Sequence, residues 1–188
     1  MRTNLPDVPG LLRKVLLPAL GASLVEEGLF RGLLLGLWLR FARPAAACAG
    51  SAAMFAFLHF LKPPAEMVIP DPSHPAAGFE LLGAMLLHYT EPGFFIADFA
   101  TLFTVGVLLA WARVRTGSLW LPIGLHAGWI IAFKSGSLVH QAGPAAAGLP
   151  DLWLGESLRS GLLPLLTLGL TAFACHHLMR RWDRPGAE

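Results

Sequence analysis

One stretch of the chain, GASLVEEGLFRGLLLG, sets three ionisable residues inside an otherwise apolar run. Glu26, Glu27 and Arg31 each carry an insertion cost of about 2.5–3.5 kcal/mol at the middle of a membrane helix, so their presence together needs a chemical reason. Glu27 and Arg31 are four residues apart with the acid first, the favourable order for an ion pair on one helix face. Glu26 projects about 100° away from that face. The residues one turn to either side of it, Ala22 and Phe30, are apolar, so it has no counter-ion on its own helix. It must meet a partner on another helix or hold a proton. Two histidines in separate apolar runs are the natural partners: His59 in MFAFLHFLKPP, one turn after Phe55, and His126 in SLWLPIGLHAGWI. A carboxylate beside imidazoles can take a proton from water and return it to a leaving amine, help worth roughly 10²–10⁴ in rate. A second imidazole can stabilise the oxyanion of a tetrahedral intermediate. Glu26, His59 and His126 would also be the ligands if the site took zinc. The absence of an HExxH pair and the scatter of these residues over three helices favour a site with no cofactor.

Other peptidase chemistries fit less well, because the chain has neither a GxSG nucleophile motif nor a GxGD pair. Asp98, in FFIADFATLF, is the other acid placed within an apolar span; the expectation is an interfacial acid near a helix start, with a place in the lining of the same cavity as the alternative. His74, His88 and His140 fall in or near expected loops, and His176 and His177 at the basic end of the last apolar run, next to lipid headgroups.

The elements that must position these residues follow from composition. Of 188 residues, 55% are hydrophobic and 14% charged, against roughly 45–50% and 25% in soluble domains. Gly, Pro and Trp are plentiful, as membrane helices tolerate and interfaces favour. The net charge of +2 is too small for a nucleic-acid partner, and basic residues clustered beside apolar runs suit membrane lipids. Cys48 and Cys175 lie in separate apolar runs and are expected to be small packing residues rather than a disulfide.

About 20 apolar residues cross the hydrocarbon core. Five runs meet or approach that length: Val15 to Phe41, Pro44 to Leu61, Phe94 to Ala112, Leu119 to Phe133, and Leu158 to Met179. The second opens with AAACAGSAA, small residues that let helices approach closely. A long connection, Lys62 to Gly93, separates the second and third runs and contains a short apolar piece, Leu81 to Tyr89, expected to be interfacial or re-entrant. A Gly/Ala/Pro-rich stretch, Ser135 to Ser157, is expected outside the membrane. Since lipid cannot satisfy open backbone groups, the expected fold is an all-α, polytopic transmembrane bundle of about five helices, one membrane domain over residues 1–188.

The three motifs together, Glu26-Glu27-x-x-x-Arg31, then Phe55-x-x-x-His59, then His126 after TGSLWLPIGL, resemble the CPBP family, also called the CAAX-protease and bacteriocin-processing or ABI family, of intramembrane endopeptidases. The resemblance covers about Leu11 to Lys134, leaving the last apolar run, 158–179, as an additional helix. It implies that Glu26 and His59 activate water, that His126 helps to bind the oxyanion, that Glu27 and Arg31 stabilise their helix, and that Phe55 shapes the site. It also implies a peptide or protein substrate, one associated with the membrane, and residence in a bacterial inner membrane. Processing of peptides or sorting signals fits such a chain better than removal of a prenylated terminus. Many members of that family carry Asn four residues after the last histidine, where this chain has Ile130. The competing readings are a membrane scaffold or bacteriocin-immunity protein that has lost catalysis, and a proton pathway through the same buried groups.

Overall fold

The computed structural model describes residues 8–61, 73–88, 92–142 and 162–182. These residues form six helices and no strand. The first, α1, is a continuous helical rod over residues 8–38. It is built from α-helical stretches Val8–Leu11, Leu17–Glu27 and Leu35–Trp38 with two π-helical stretches between them, Leu12–Leu16 and Gly28–Leu34. Each π stretch ends with an i→i+5 bond, from Leu17 N–H to the Leu12 carbonyl and from Leu35 N–H to the Phe30 carbonyl. Helix α2 is Pro44–His59, α3 is Ala77–His88, α4 is Pro92–Thr116, α5 is Trp120–Ala142 and α6 is Leu162–Trp182.

The sequence dictates several boundaries. Pro44 opens α2, where its missing N–H costs nothing, after Arg43 in an extended conformation. Between α4 and α5 the chain reverses at Gly117, whose φ of 65° suits glycine. Ser118 Oγ then accepts the Trp120 N–H at 3.3 Å and caps α5.

One face of α1 is a stripe at four-residue spacing: Val15, Ala19, Ser23, Glu27, Arg31 and Leu35, all sealed from solvent. This is the ridge by which a helix seats in its neighbours' grooves. The Leu17–Glu27 stretch packs on α5, and Leu35 joins Ala47 of α2 and Ala110 of α4 in a small cluster edged by Trp38 and Cys48. The α2–α4 pair is the most extensive packing in the bundle. There the small residues predicted to permit close approach do so: a Cβ on Gly106 would lie 2.8 Å from both Cα and Cβ of Ala52. Gly50 likewise leaves room for the Trp38 ring, which would collide with any side chain there. Helix α6 packs against α4, with the Trp111 and His176 rings 6.4 Å apart.

Outside this core many large apolar side chains face outward, among them Leu17, Val25, Leu33, Phe41, Leu170 and Phe173, while Glu27, Arg31, Ser23 and Ser51 are fully buried along with Phe55, Leu35 and Leu109. Apolar side chains on the outside with ionisable groups buried within suit lipid as the surrounding solvent. Phe99–Thr116 of α4 is long and apolar enough to cross a membrane.

Several expected boundaries move. The first run is helical from Val8 to Trp38, with residues 39–42 turning back toward α2. The stretch expected as an external loop from Ser135 is helical as far as Ala142, since nothing between Phe133 and Ala142 breaks the helix that began at Trp120. The rest of that stretch lies outside the described residues. His140 is therefore within α5 rather than in a loop, and His88 is the last residue of α3. The short apolar piece is α3, which at 12 residues extends about 18 Å, too short to span. Asp98 lies on α4 near its start. Both cysteines are free.

Candidate active site

Glu26, Glu27 and Arg31 lie where the α-helical stretch Leu17–Glu27 gives way to the π-helical stretch Gly28–Leu34, a feature common at functional sites. The Glu27–Arg31 pair forms as the spacing predicts: Arg31 Nη1 donates to Glu27 Oε1 at 2.9 Å, both side chains fully buried. Such a pair is costly to bury, and its remaining hydrogen-bonding capacity is met only in part, since Arg31 Nε and Glu27 Oε2 have no hydrogen-bond partner. Here Arg31 Nη2 donates to the Gly106 carbonyl at 3.3 Å, and the guanidinium lies over the Phe55 ring, 4.4 Å from its centroid. The close approach at Gly106 thus brings a backbone carbonyl of α4 within reach of an α1 side chain. Ser51 of α2 donates to the Phe30 carbonyl at 3.2 Å, tying the π stretch to its neighbour.

Glu27 does more than neutralise Arg31. Its Oε1 also meets His126 Nδ1 at 2.7 Å, across 99 positions of sequence. A carboxylate already paired with arginine accepts, so His126 Nδ1 carries the hydrogen and its Nε2 is turned into the site. The resemblance assigned Glu27 a helix-stabilising part only. No local sequence signal identifies this bond, which depends on how α5 docks against α1. That docking is antiparallel: Leu119 at the start of α5 packs at Gly32, while His126 reaches Glu27.

His59 is fixed in the same manner from its own helix. Its Nδ1 lies 3.2 Å from the Phe55 carbonyl, which can only accept, so Nδ1 is the donor and Nε2 faces Glu26. Phe55 is fully buried and packs among these groups, its ring centroid 4.3 Å from that of His59, 5.9 Å from that of His126 and 5.1 Å from that of Phe30.

Glu26 completes the constellation. Its Oε2 lies 3.6 Å from His59 Nε2 and 3.8 Å from His126 Nε2. Both separations are too long for direct hydrogen bonds, and Oε2 has no hydrogen-bond partner although it is itself shielded. The carboxylate isolated by sequence geometry, and the two imidazoles expected to meet it, come together on three helices. The Glu26 and His59 side chains are each 30% exposed, against 8% for His126 and none for Glu27, so the site opens on the Glu26–His59 side.

Among the described residues no group of three or more His, Cys, Asp or Glu side chains is arranged to hold a metal ion. Ile130, one turn beyond His126 on α5, brings no polar side-chain atom to the site. The side chain of Asp98 lies outside the described residues. His74 is exposed and accepts the Ala76 N–H at 3.3 Å within its own turn, and His176 and His177 are exposed on α6.

A sequence model of the family described as type II CAAX prenyl endopeptidase Rce1-like matches residues 9–132. That span contains every member of the constellation. No curated protein and no solved structure gives a significant match.

Proposed function

The chain belongs to the Rce1-like family of type II CAAX prenyl endopeptidases, and on that footing we propose that it is an intramembrane peptidase that hydrolyses a peptide bond with a water held by Glu26 and His59. The observation that carries this reading is the meeting of Glu26 Oε2 with both imidazole Nε2 atoms, at 3.6 and 3.8 Å. In neutral rings with hydrogen on Nδ1, all three of these atoms are acceptors. A water donating to Glu26 and His59 keeps its own lone pair for a carbonyl carbon arriving from the open side.

The steps balance without any further reagent. Water gives one proton to Glu26 as its oxygen bonds to the carbonyl carbon, and the carbonyl π electrons move onto oxygen. The tetrahedral intermediate then collapses, the C–N bond breaks, and the proton held by Glu26 passes to the departing amine. His59 accepts from the water and orients it. His126, held by Glu27, stands opposite and can steady the developing charge once its ring has taken a second proton. Phe55 walls the site and covers Arg31, and Glu27 and Arg31 fix the helix and the His126 ring. The protein is an integral membrane enzyme of a bacterial inner membrane with its substrate delivered from the lipid, in keeping with its outward-facing apolar side chains.

The test is hydrolysis of a panel of internally quenched peptides, with and without S-farnesyl cysteine, by purified protein in lipid vesicles. Cleavage is expected to persist under strong zinc chelation and to be lost in His59→Ala. Loss of activity on chelation, restored by zinc, would replace the bound water of this scheme with a metal. A panel left intact by wild-type protein would favour the scaffold reading.

A further inference from the structure

The peptidase reading leaves a shortage of hydrogen-bond donors. Both imidazoles commit their Nδ1 hydrogens away from the cavity, His59 to the Phe55 carbonyl and His126 to Glu27. His126 can donate toward an oxyanion only once its ring has taken a second proton. Backbone N–H groups within the surrounding helices are committed to their own ladders. Yet a carbonyl oxygen becoming an oxyanion in a shielded site needs donors already in place.

Among the described residues the shielded donors without a hydrogen-bond partner are Ser23 Oγ, Arg31 Nε and Arg113 Nε; the Arg31 guanidinium is already held by Glu27 and stacked on Phe55, and Ser23 Oγ is the hydroxyl among them. Ser23 is fully buried, and its Oγ is among the few shielded side-chain polar atoms with no hydrogen-bond partner. A buried hydroxyl left unpaired is a cost to the fold, and one that persists beside a reaction centre calls for a function. Ser23 stands one turn before Glu27 on the buried stripe of α1 and three residues before Glu26, positions whose Cβ atoms are about 5–6 Å apart on a helix. The helix register fixes its neighbour. Leu119 packs at Gly32 and His126 at Glu27, so one further turn along α5, to Ile130, corresponds to one further turn back along α1, to Ser23. Ile130 is apolar, which leaves the Ser23 hydroxyl as the polar group at that level of the α1–α5 seam.

We infer that Ser23 Oγ–H is an oxyanion donor of this peptidase, pairing with the carbonyl oxygen of the scissile bond as it gains charge. The hydroxyl keeps its proton and forms no covalent bond to the substrate, so Ser23 is not a nucleophile. The inference rests on the proposed hydrolysis and deepens it.

The experiment compares Ser23→Ala, Ser23→Thr and Glu26→Gln with wild type, using the internally quenched peptide that the wild-type protein cleaves in vesicles. Ser23→Ala is expected to lower kcat by about 10²-fold or more, with KM and the thermal midpoint near wild type. Ser23→Thr, which keeps the hydroxyl, is expected to recover most of that loss. A kcat for Ser23→Ala within about twofold of wild type, or equal losses in the Ala and Thr variants accompanied by a lowered midpoint, would reduce Ser23 to a packing residue and overturn the inference. Either of those results would leave the water-activating pair standing. Undiminished cleavage by Glu26→Gln would instead remove the hydrolysis on which the inference depends.

Discussion

Glu26 and Glu27 are consecutive in sequence and alike in chemistry, yet their removal should have opposite signatures. Glu27 Oε1 accepts from Arg31 Nη1 at 2.9 Å and from His126 Nδ1 at 2.7 Å, with its side chain fully sealed. Glu27→Gln retains one acceptor oxygen but withdraws the charge, leaving a buried guanidinium without its counter-ion. Breaking a buried pair in this way costs about 3–5 kcal/mol, and at roughly 2–4 °C per kcal/mol for a chain of this size the thermal midpoint should fall by about 6–20 °C. Activity should fall as well, because the amide no longer dictates which nitrogen of His126 is protonated. Glu26→Gln is a different case. The side chain is 30% exposed and its nearest imidazoles stand at 3.6 and 3.8 Å, so its ionic contacts are worth about 1 kcal/mol at most. The midpoint should hardly move, while hydrolysis is lost with the base. The assay is thermal unfolding followed by tryptophan fluorescence in detergent, beside peptide cleavage in vesicles. Equal destabilisation by the two substitutions would refute the division of labour, as would a Glu27→Gln protein of wild-type stability.

Two further substitutions probe the scaffold behind the site. Gly106→Ala places a methyl 2.8 Å from the Ala52 backbone, so it should cost about 1–3 kcal/mol as an overpacked contact and reduce activity by displacing the Gly106 carbonyl from Arg31; the measurement is thermal unfolding with Gly78→Ala, at an open position, as the control. Phe55→Ala removes the ring shared by His59, His126 and Arg31 and should cost about 3–5 kcal/mol, with a fall in kcat exceeding that of Phe55→Leu in the peptide assay.

Much of the candidate site's geometry was legible because its grammar is local. The four-residue spacing of Glu27 and Arg31 foretold their ion pair, and the same arithmetic isolated Glu26 as the acid needing help from another helix. His59 and His126 stood out because imidazoles within apolar runs are costly. The bond between Glu27 and His126 was hidden, since it depends on the register between two helices that are distant in sequence, and a neutralised Glu27 looked complete. The π stretches were equally invisible: apart from Arg31, Gly28–Leu34 reads like any apolar helix, and within it Ser51 of the neighbouring helix binds the Phe30 carbonyl. The continuation of α5 past Phe133 is hidden by the Gly/Ala/Pro-rich composition of 135–157, whereas a helix already nucleated and packed on α1 carries through to Ala142. Ser23 is one small residue in an apolar run, and its place one turn before Glu27 is the local mark it carries.

The reversal at Gly117, closed by the Ser118 cap, has a consequence for how this chain can change over time. With the start of α5 pinned there, the angular position of the His126 imidazole is set by the residue count from the cap. One insertion or deletion between them would swing the ring by about 100°, away from both glutamates. Side chains along that short segment are open to exchange, but its length is not. Variation in this protein should therefore enter the stretch by replacement alone, leaving gains and losses of residues to the long connection before α4.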